Sequence, residues 1–355
     1  MRPTDILKIR LYNQLLAGNK FTCPAEIVSW LGAMQSQNYE MAKWGIGVRL
    51  PGTTSQQIEK AFNEGDILRT HVLRPTWHFV IPEDIHWMLE LTAPRIRRSF
   101  DGYIRMSGVK SETIHKGQDI AMLILEEYGH LTRQQLAEHL LLRGVELPEV
   151  RGLSYLMMNA EIDGLVCSGQ IMGTQHTYAL LNQRVPKKKV LSKEEMLEKL
   201  ARKYFSSHGP ATLDDYQWWS GLIKTDAKKG IESIKDDFIS EEINGKTYWM
   251  PNDIQTPPGN MSHLLPAFDE FVVSYKDRSE IIDETYYRKV LTINGLFSPT
   301  IHYNGKAVGT WKAVANKKET GAQLSFFETT PEKIQERFDK QIKNYEIFNR
   351  IHPTI

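Results

Sequence analysis

The amino-acid sequence predicts an α+β fold, in which three tandem winged helix-turn-helix units precede a small antiparallel sheet or barrel and a terminal helix. Two observations support this prediction. The same order of signals, three helices and then a two-stranded hairpin, occurs three times before Pro257-Pro258, as expected of a repeated structural unit. After these prolines, strand-type segments dominate until a last helical pattern. The predicted domains are 1–110, 111–190, 191–257 and 258–355.

Length and composition are those of an ordinary multidomain protein. The chain has 355 residues, of which 41% are hydrophobic and 25% are charged, enough for two to four domains. The net charge of +1 means that any nucleic acid must be bound by local basic clusters. Two cysteines without metal-type spacing, no signal-peptide pattern and no apolar run of ~18 residues predict a cytoplasmic protein without a membrane partner.

The first unit is predicted from helical periodicity and one capping box. Thr54 and Gln57 have the capping-box spacing, in which each side chain bonds to the backbone N–H of the other residue. A hairpin follows around Arg74-Pro75. The predicted elements are the helices Thr4–Ala17, Pro24–Met34 and Thr54–Phe62, and the strands Ile67–Leu73 and Thr76–Ile81.

The second and third units repeat this order. Thr132 with Gln135, and Thr212 with Asp215, give two more helix caps, and Asn244-Gly245 is the strongest short hairpin signal. The elements of the second unit are the helices Asp119–Glu127, Arg133–Arg143 and Val150–Glu161, and the strands Leu165–Cys167 and Thr177–Leu181. Those of the third are the helix Lys193–Ser207, a helix containing Trp218-Trp219, the helix Asp226–Phe238, and the strands Ile239–Ile243 and Lys246–Met250.

The C-terminal part is predicted to be a sheet closed by a helix. A second Asn-Gly turn lies at Asn304-Gly305, and an apolar stripe at helical spacing predicts a final helix, Glu332–Arg350. The predicted strands are Leu264–Leu265, Phe271–Val273, Leu291–Ile293, Leu296–Tyr303, Lys306–Val314 and Leu324–Phe327.

The strongest candidate for a functional site is the amide pair Gln35 and Gln37. In a helix, residues i and i+2 point roughly 200° apart, whereas in an extended segment they share a face. The two amides converge only if the helix ends near Met34–Gln35. Because an unbonded buried amide costs about 1–3 kcal/mol, the pair either satisfies its own backbone, the commoner case, or holds a ligand in a pocket.

The usual catalytic motifs are absent from the sequence, but basic residues form clusters. No HExxH, Walker, GxSxG or GxGxxG pattern occurs. His71 and His78 lie on neighbouring predicted strands, where satisfied histidines are favoured over a metal pair. The clusters could be solvated charge runs, but in a tandem winged-helix protein they favour phosphate contacts. The candidate DNA contacts are Arg69, Arg74, His78, Arg95, Arg97, Arg98, Lys187, Lys188 and Lys189.

Five segments in this order resemble the AlkZ-like winged-helix DNA glycosylase family, in its Gln-x-Gln branch. The segments are GAMQSQNYEMAKWGIGVRL, THVLRPTWHFV, GPATLDDYQWWSGL, LLPAFDEFVVSYKDR and NGKAVGTWK. The resemblance implies three winged helices around a basic DNA-binding face, a C-terminal β-barrel, and excision of N7-alkylated purines, including bulky adducts and interstrand crosslinks. It also implies that Gln35 and Gln37 are catalytic. Ser36 departs from the small apolar or aliphatic residue usual between them.

The residues fit a hydrolysis in which two glutamine amides position a water at C1′ of the sugar. On this hypothesis the enzyme is monofunctional, needs no metal and no cofactor, and acts as a monomer on double-stranded DNA. It would be nucleoid-associated when bound. Two alternatives stay open: a non-enzymatic winged-helix regulator, which would bind a palindrome as a dimer, and a damage-binding protein without catalysis.

Overall fold

The structure is a computed structural model that describes residues 3–18, 20–107, 111–147, 149–185, 190–257, 259–315 and 320–350. The helices, in chain order, are α1 Pro3–Asn13, α2 Pro24–Leu31, α3 Tyr39–Gly47, α4 Ser55–Glu64, α5 Pro82–Ser107, α6 Ser111–Tyr128, α7 Arg133–Leu142, α8 Glu149–Ile162, α9 Leu181–Arg184, α10 Lys193–His208, α11 Leu213–Ser220, α12 Lys224–Ile234, α13 Glu270–Val273, α14 Tyr287–Val290 and α15 Glu332–Phe348. The strands are β1 Met34–Gln35, β2 Leu68–His71, β3 Trp77–Val80, β4 Leu131–Thr132, β5 Val166–Ser168, β6 Thr177–Leu180, β7 Phe238–Ile243, β8 Lys246–Pro251, β9 Ser262–Leu265, β10 Thr300–Tyr303, β11 Lys306–Ala315 and β12 Thr320–Phe326.

The chain forms two compact units. The first contains Met1–Glu59, Leu197–Trp219 and Ile223–Ile355, and the second contains Lys60–Met196 and Ser220–Leu222. The α+β class predicted from the sequence is confirmed. The winged helix-turn-helix identity of the three repeats and the domain boundaries at residues 110, 190 and 257 stay predictions. Within the described ranges, no helix is both long enough and apolar enough to cross a membrane.

The C-terminal sheet of the first unit is open. Its four antiparallel strands lie in the order β12-β11-β10-β9, so the predicted β-barrel is wrong. Helix α15 packs against both outer strands, β9 and β12, and Phe338 of this helix lies 5.7 Å from Phe326 between ring centroids. The helix therefore covers the apolar face that barrel closure would otherwise have to bury.

Several local predictions are confirmed. The Thr54 and Thr132 capping boxes form, with backbone N–H groups donating to Gln57 Oε1 at 2.8 Å and to Gln135 Oε1 at 2.9 Å. The β7–β8 hairpin turns at Asn244-Gly245, whose φ values of 50° and 71° are those of a type I′ turn. These elements depend on residues close in sequence, which explains why periodicity and caps located them.

Two predicted strands are absent from their predicted positions. Phe271–Val273 belongs to the short helix α13, because Asp269 caps it by accepting the Phe271 N–H at 2.9 Å. Residues Leu291–Ile293 form only an isolated bridge, between Leu291 and Phe297. In both places the apolar run was a correct sign of burial but not of strand structure.

The second unit contains the hairpin β2–β3, the three-stranded sheet β4-β6-β5 and the helices that cover it. Ile124, Leu136 and Leu156 are fully buried in a core shared by α6, α7 and α8. Helix α5 was not predicted as an element, and it contains Pro94, a residue that disfavours helix interiors.

Two buried histidines of the first unit predict a pH-dependent stability. His263 and His302 lie directly opposite each other on β9 and β10, and burial lowers the pKa of each to about 4. The unfolded pKa is about 6.5, so between these values the unfolded chain binds more protons. We expect the free energy of unfolding to be undiminished above about pH 6.5 and to decrease as the pH falls towards about 4.

Urea unfolding at about pH 7.5 and about pH 5 measures this change. His263→Gln and His302→Gln remove the titrating groups, so the double variant should lose less stability than the wild type between the two pH values. An equal loss in both proteins would contradict the assignment.

Candidate active site

The segment that carries Gln35 and Gln37 is a short connection between α2 and α3. Helix α2 ends at Leu31, and Gly32 follows with a φ of 80°, a conformation that glycine adopts without strain. The next helix begins at Tyr39, where Asn38 Oδ1 accepts the Met41 N–H at 3.2 Å. The helix therefore ends earlier than the predicted Met34, and Met34–Gln35 is extended.

Side-chain exposure alternates along the motif. Gln35 is half-buried, Ser36 is fully buried and Gln37 is exposed. The extended backbone covers Met34–Gln35, and Gln37 lies at a bend that follows it. The helix therefore ends before the motif, as convergence of the two amides requires, and the catalytic role of Gln35 and Gln37 stays a prediction.

The backbone of Gln35 is held by a buried carboxylate. Its N–H donates to Glu270 Oε1 at 2.6 Å, and Glu270 is 1% exposed. The other carboxylate oxygen accepts from Trp219 Nε1 at 3.2 Å and from the hydroxyl of Ser274. Three donors thus converge on this carboxylate, and the bond from the Gln35 N–H fixes the position of the motif.

Helix α13, which carries Glu270, is itself fixed by a buried ion pair. Arg49 donates to both carboxylate oxygens of Asp269, at 2.7 and 2.8 Å, and both side chains are fully buried. The remaining N–H groups of Arg49 donate to the oxygens of Gln14 at 2.9 and 3.1 Å and to the Gly45 carbonyl at 2.8 Å. One guanidinium thus joins three parts of the first unit next to the motif.

Trp218 and Trp219 both donate a hydrogen bond to this region, and they differ in exposure. Trp219 is fully buried, while Trp218 is 43% exposed and donates to the Val273 carbonyl at 2.9 Å. The His208 imidazole lies 3.8 Å from Glu270 Oε2. Burial lowers the pKa of His208, and the nearby Glu270 carboxylate partly opposes this effect.

The candidate DNA contacts lie in the second unit and differ in exposure. Arg95, Arg97 and Arg98 are exposed on α5, where Arg97 pairs with Asp163. Arg69 and Arg74 are partly buried, the former with its guanidinium 4.3 Å from the Trp77 ring centroid. Lys187, Lys188 and Lys189 lie outside the described residues.

The two strand histidines are each engaged by the protein. His78 is fully buried and donates to the Thr76 carbonyl at 2.8 Å, which leaves it no surface for a phosphate in this conformation. His71 pairs with Glu161, and its cross-strand neighbour is Trp77. Within the residues that the structure describes, no group of three or more His, Cys, Asp or Glu side chains could hold a metal ion.

Sequence reasoning located the glutamines but missed Arg49, Asp269 and Glu270. A signal was available for the carboxylates, because Asp269-Glu270 interrupts the apolar run LLPAFDEFVV. Adjacent acidic residues in such a run must be paired when they are buried. Arg49 is separated from Asp269 by 220 positions, so their pairing could not be read from local patterns.

Comparison with known proteins gives concordant matches. The family model described as "DNA glycosylase AlkZ-like" matches residues 28–348. A curated relative, the "Interstrand DNA cross-link repair glycosylase" of Streptomyces sahachiroi, is 21% identical over 320 residues, which are 86% of this chain and 86% of that protein. The solved structure of "Streptomyces sahachiroi DNA glycosylase AlkZ" superposes with a TM-score of 0.82 at 20% identity, covering 97% of this chain and 96% of the other. At 20% identity, the superposition shows that the two proteins share a fold.

Proposed function

The chain belongs to the AlkZ-like DNA glycosylase family, and from this premise we propose that it excises N7-alkylated purines from duplex DNA, including bulky adducts and interstrand crosslinks. Gln35 and Gln37 position the hydrolytic water. The observation that carries the proposal is the short non-helical connection between α2 and α3, where Gln35 is half-buried and Gln37 is exposed.

The proposed substrate suits a site without a strong acid. An N7-alkylated purine is cationic, so cleavage of the C1′–N9 bond returns the electron pair to the base, which leaves neutral. The sugar acquires oxocarbenium character, as in other glycoside hydrolyses. A water then bonds to C1′ and loses a proton to solvent, giving an abasic site. The protein's task is to hold this water on the correct face of the sugar.

Glutamine can perform that task but not general base catalysis. Its amide offers two acceptor lone pairs and two donors, so two such groups can both orient a water and accept its hydrogen bonds. Because the proposed reaction uses no lysine nucleophile, it ends at the abasic site without strand cleavage. Bulky adducts could be bound from a groove, since a flipped base in a deep pocket is needed only where the target atom is otherwise unreachable.

A duplex with one N7-methylguanine tests the proposal. Wild-type protein should release N7-methylguanine, detectable by mass spectrometry, and strand breaks should appear only after heating in alkali. A duplex carrying an N7-linked interstrand crosslink tests the broader substrate class. Sequence-selective binding without base release from either duplex would overturn the proposal and favour a regulator.

The exposed arginines of α5 give a prediction for DNA binding. Arg95→Ala and Arg98→Ala should weaken binding on all sequences alike and, for contacts with one phosphate each, reduce the slope of log K against log salt by about 0.9 each. Fluorescence anisotropy over a salt series measures both quantities. Lys60→Ala, which removes an exposed cation paired with Glu64, is the control and should leave the slope unchanged. Unaltered slopes in these variants would exclude phosphate contacts of Arg95 and Arg98.

A further inference from the structure

We infer that Glu270 is the positioning residue of the glutamine motif, an inference that rests on the proposed function of Gln35 and Gln37. Its carboxylate holds the Gln35 N–H at 2.6 Å while being 1% exposed. Glu270 thus acts through the backbone of Gln35 and not on the substrate. It sets where the half-buried amide of Gln35 lies relative to the attacking water.

Each carboxylate oxygen has a separate role. Oε1 accepts from the motif, and Oε2 accepts from the Trp219 indole at 3.2 Å and from the hydroxyl of Ser274. Trp219 is fully buried, so the indole cannot move away to release the carboxylate. Tyr204 packs against Trp219 with ring centroids 5.0 Å apart and fixes it further. The Glu270 carboxylate is therefore fixed through Oε2, and its Oε1 holds the Gln35 backbone.

Only a glutamate satisfies this arrangement. Aspartate lacks one methylene, so its carboxylate would fall short of the Gln35 N–H. Glutamine has the right length but one oxygen and one NH₂ group. If the amide oxygen of the introduced glutamine faces the Gln35 N–H, its NH₂ group faces the Trp219 N–H. If the amide is flipped, the NH₂ group faces the Gln35 N–H instead. Either orientation places two donors face to face, and a buried donor left unbonded is costly.

This conflict supplies a rescue experiment. Glu270→Gln should lower the single-turnover rate of N7-methylguanine release by about 10- to 100-fold, because small displacements of a positioning group have large effects on rate. Adding Trp219→Phe removes the opposing donor, so E270Q/W219F should recover part of the lost rate despite the smaller ring. A residue needed only for folding would give the opposite order, with the double variant slower than E270Q.

A buried carboxylate away from the motif provides the matched control. Asp84 is 1% exposed and accepts from Trp87 Nε1 at 2.9 Å, so Asp84→Asn makes the same kind of lesion, at a buried carboxylate that faces an indole N–H, in the second unit. D84N should lower the unfolding midpoint without slowing base release by more than about 2-fold. DNA affinity should change by no more than about 2-fold in E270Q, which separates positioning from binding.

The hydrogen bond also has a spectroscopic signature. In selectively ¹⁵N-glutamine-labelled protein, the Gln35 amide proton should resonate far downfield, as short bonds to carboxylates do, and should move upfield in E270Q but not in Gln37→Ala. An unmoved resonance, a wild-type rate in E270Q, or a double variant slower than E270Q would each overturn the inference. If Q37A loses base release and E270Q does not, the inference alone fails. If the wild type releases no base, the proposed function itself fails and the inference fails with it.

Discussion

Replacing Gln37 by alanine is expected to reduce the single-turnover rate of N7-methylguanine release by about 100-fold or more, the effect typical of losing one group that positions a reactant or stabilises its transition state. Gln37 is exposed, so its truncation leaves no cavity and the unfolding midpoint should stay unchanged. Gln35→Ala should lose a similar factor, since both amides are needed to fix one water. Rates measured with enzyme in excess over duplex isolate the chemical step.

Gln134→Ala is the control for this experiment, because Gln134 is an exposed glutamine of the second unit whose amide bonds to Glu138 at 3.0 Å. It should excise at the wild-type rate. Equal rates for wild type and Q37A would remove the catalytic role of the motif. A fall in DNA affinity that accounts for the whole loss would reassign Gln37 to binding.

Replacing Arg49 by methionine is expected to lower the free energy of unfolding by about 3–5 kcal/mol, the cost of leaving a buried charge without its partner. Asp269 and Arg49 are both fully buried, so no solvent can replace the lost bonds. Since Asp269 also caps α13, the loss should extend to Glu270 and lower base release as well. Urea unfolding at neutral pH measures the first effect.

A surface ion pair provides the control for the Arg49→Met experiment, because solvent can replace the bonds that an exposed arginine loses. Arg202 is 42% exposed and bonds to Glu198 at 3.0 Å and Asp237 at 2.8 Å, so Arg202→Met should cost no more than about 1 kcal/mol. Arg49→Met combined with Asp269→Asn should be less destabilised than the sum of the single changes, because the stranded charge is gone. A cost of R49M no larger than that of R202M would show that the buried pair contributes little.

Local chemistry explains which parts of the fold could be predicted from the sequence. The capping boxes at Thr54 and Thr132 and the Asn244-Gly245 hairpin depend on residues within a few positions of each other. The end of α2 before Gln35 was predicted for a similar reason, since two amides two positions apart cannot share a helix face. In each case the deciding interaction lies inside the segment.

The features that could not be predicted depend on partners distant in sequence. Phe271–Val273 has strand-type residues, yet it is helical behind the Asp269 cap, and the capping carboxylate is held in place by Arg49 from 220 positions away. The C-terminal sheet stays open because α15 packs on β9 and β12, an arrangement that no local pattern encodes. Glu270 could be recognised as buried and acidic, but its contact with Gln35 required the fold.

Arg49 and Asp269 are separated by 220 positions in the sequence, so their ion pair can form only late in translation. Translation at ~5–20 residues per second separates the appearance of Gln35 from that of Glu270, 235 positions later, by roughly 12–47 s. During this interval the nascent chain has no carboxylate to hold the glutamines in place. We therefore expect that a chain interrupted before residue 270 has no excision activity, so that only a completed polypeptide breaks bonds in the genome.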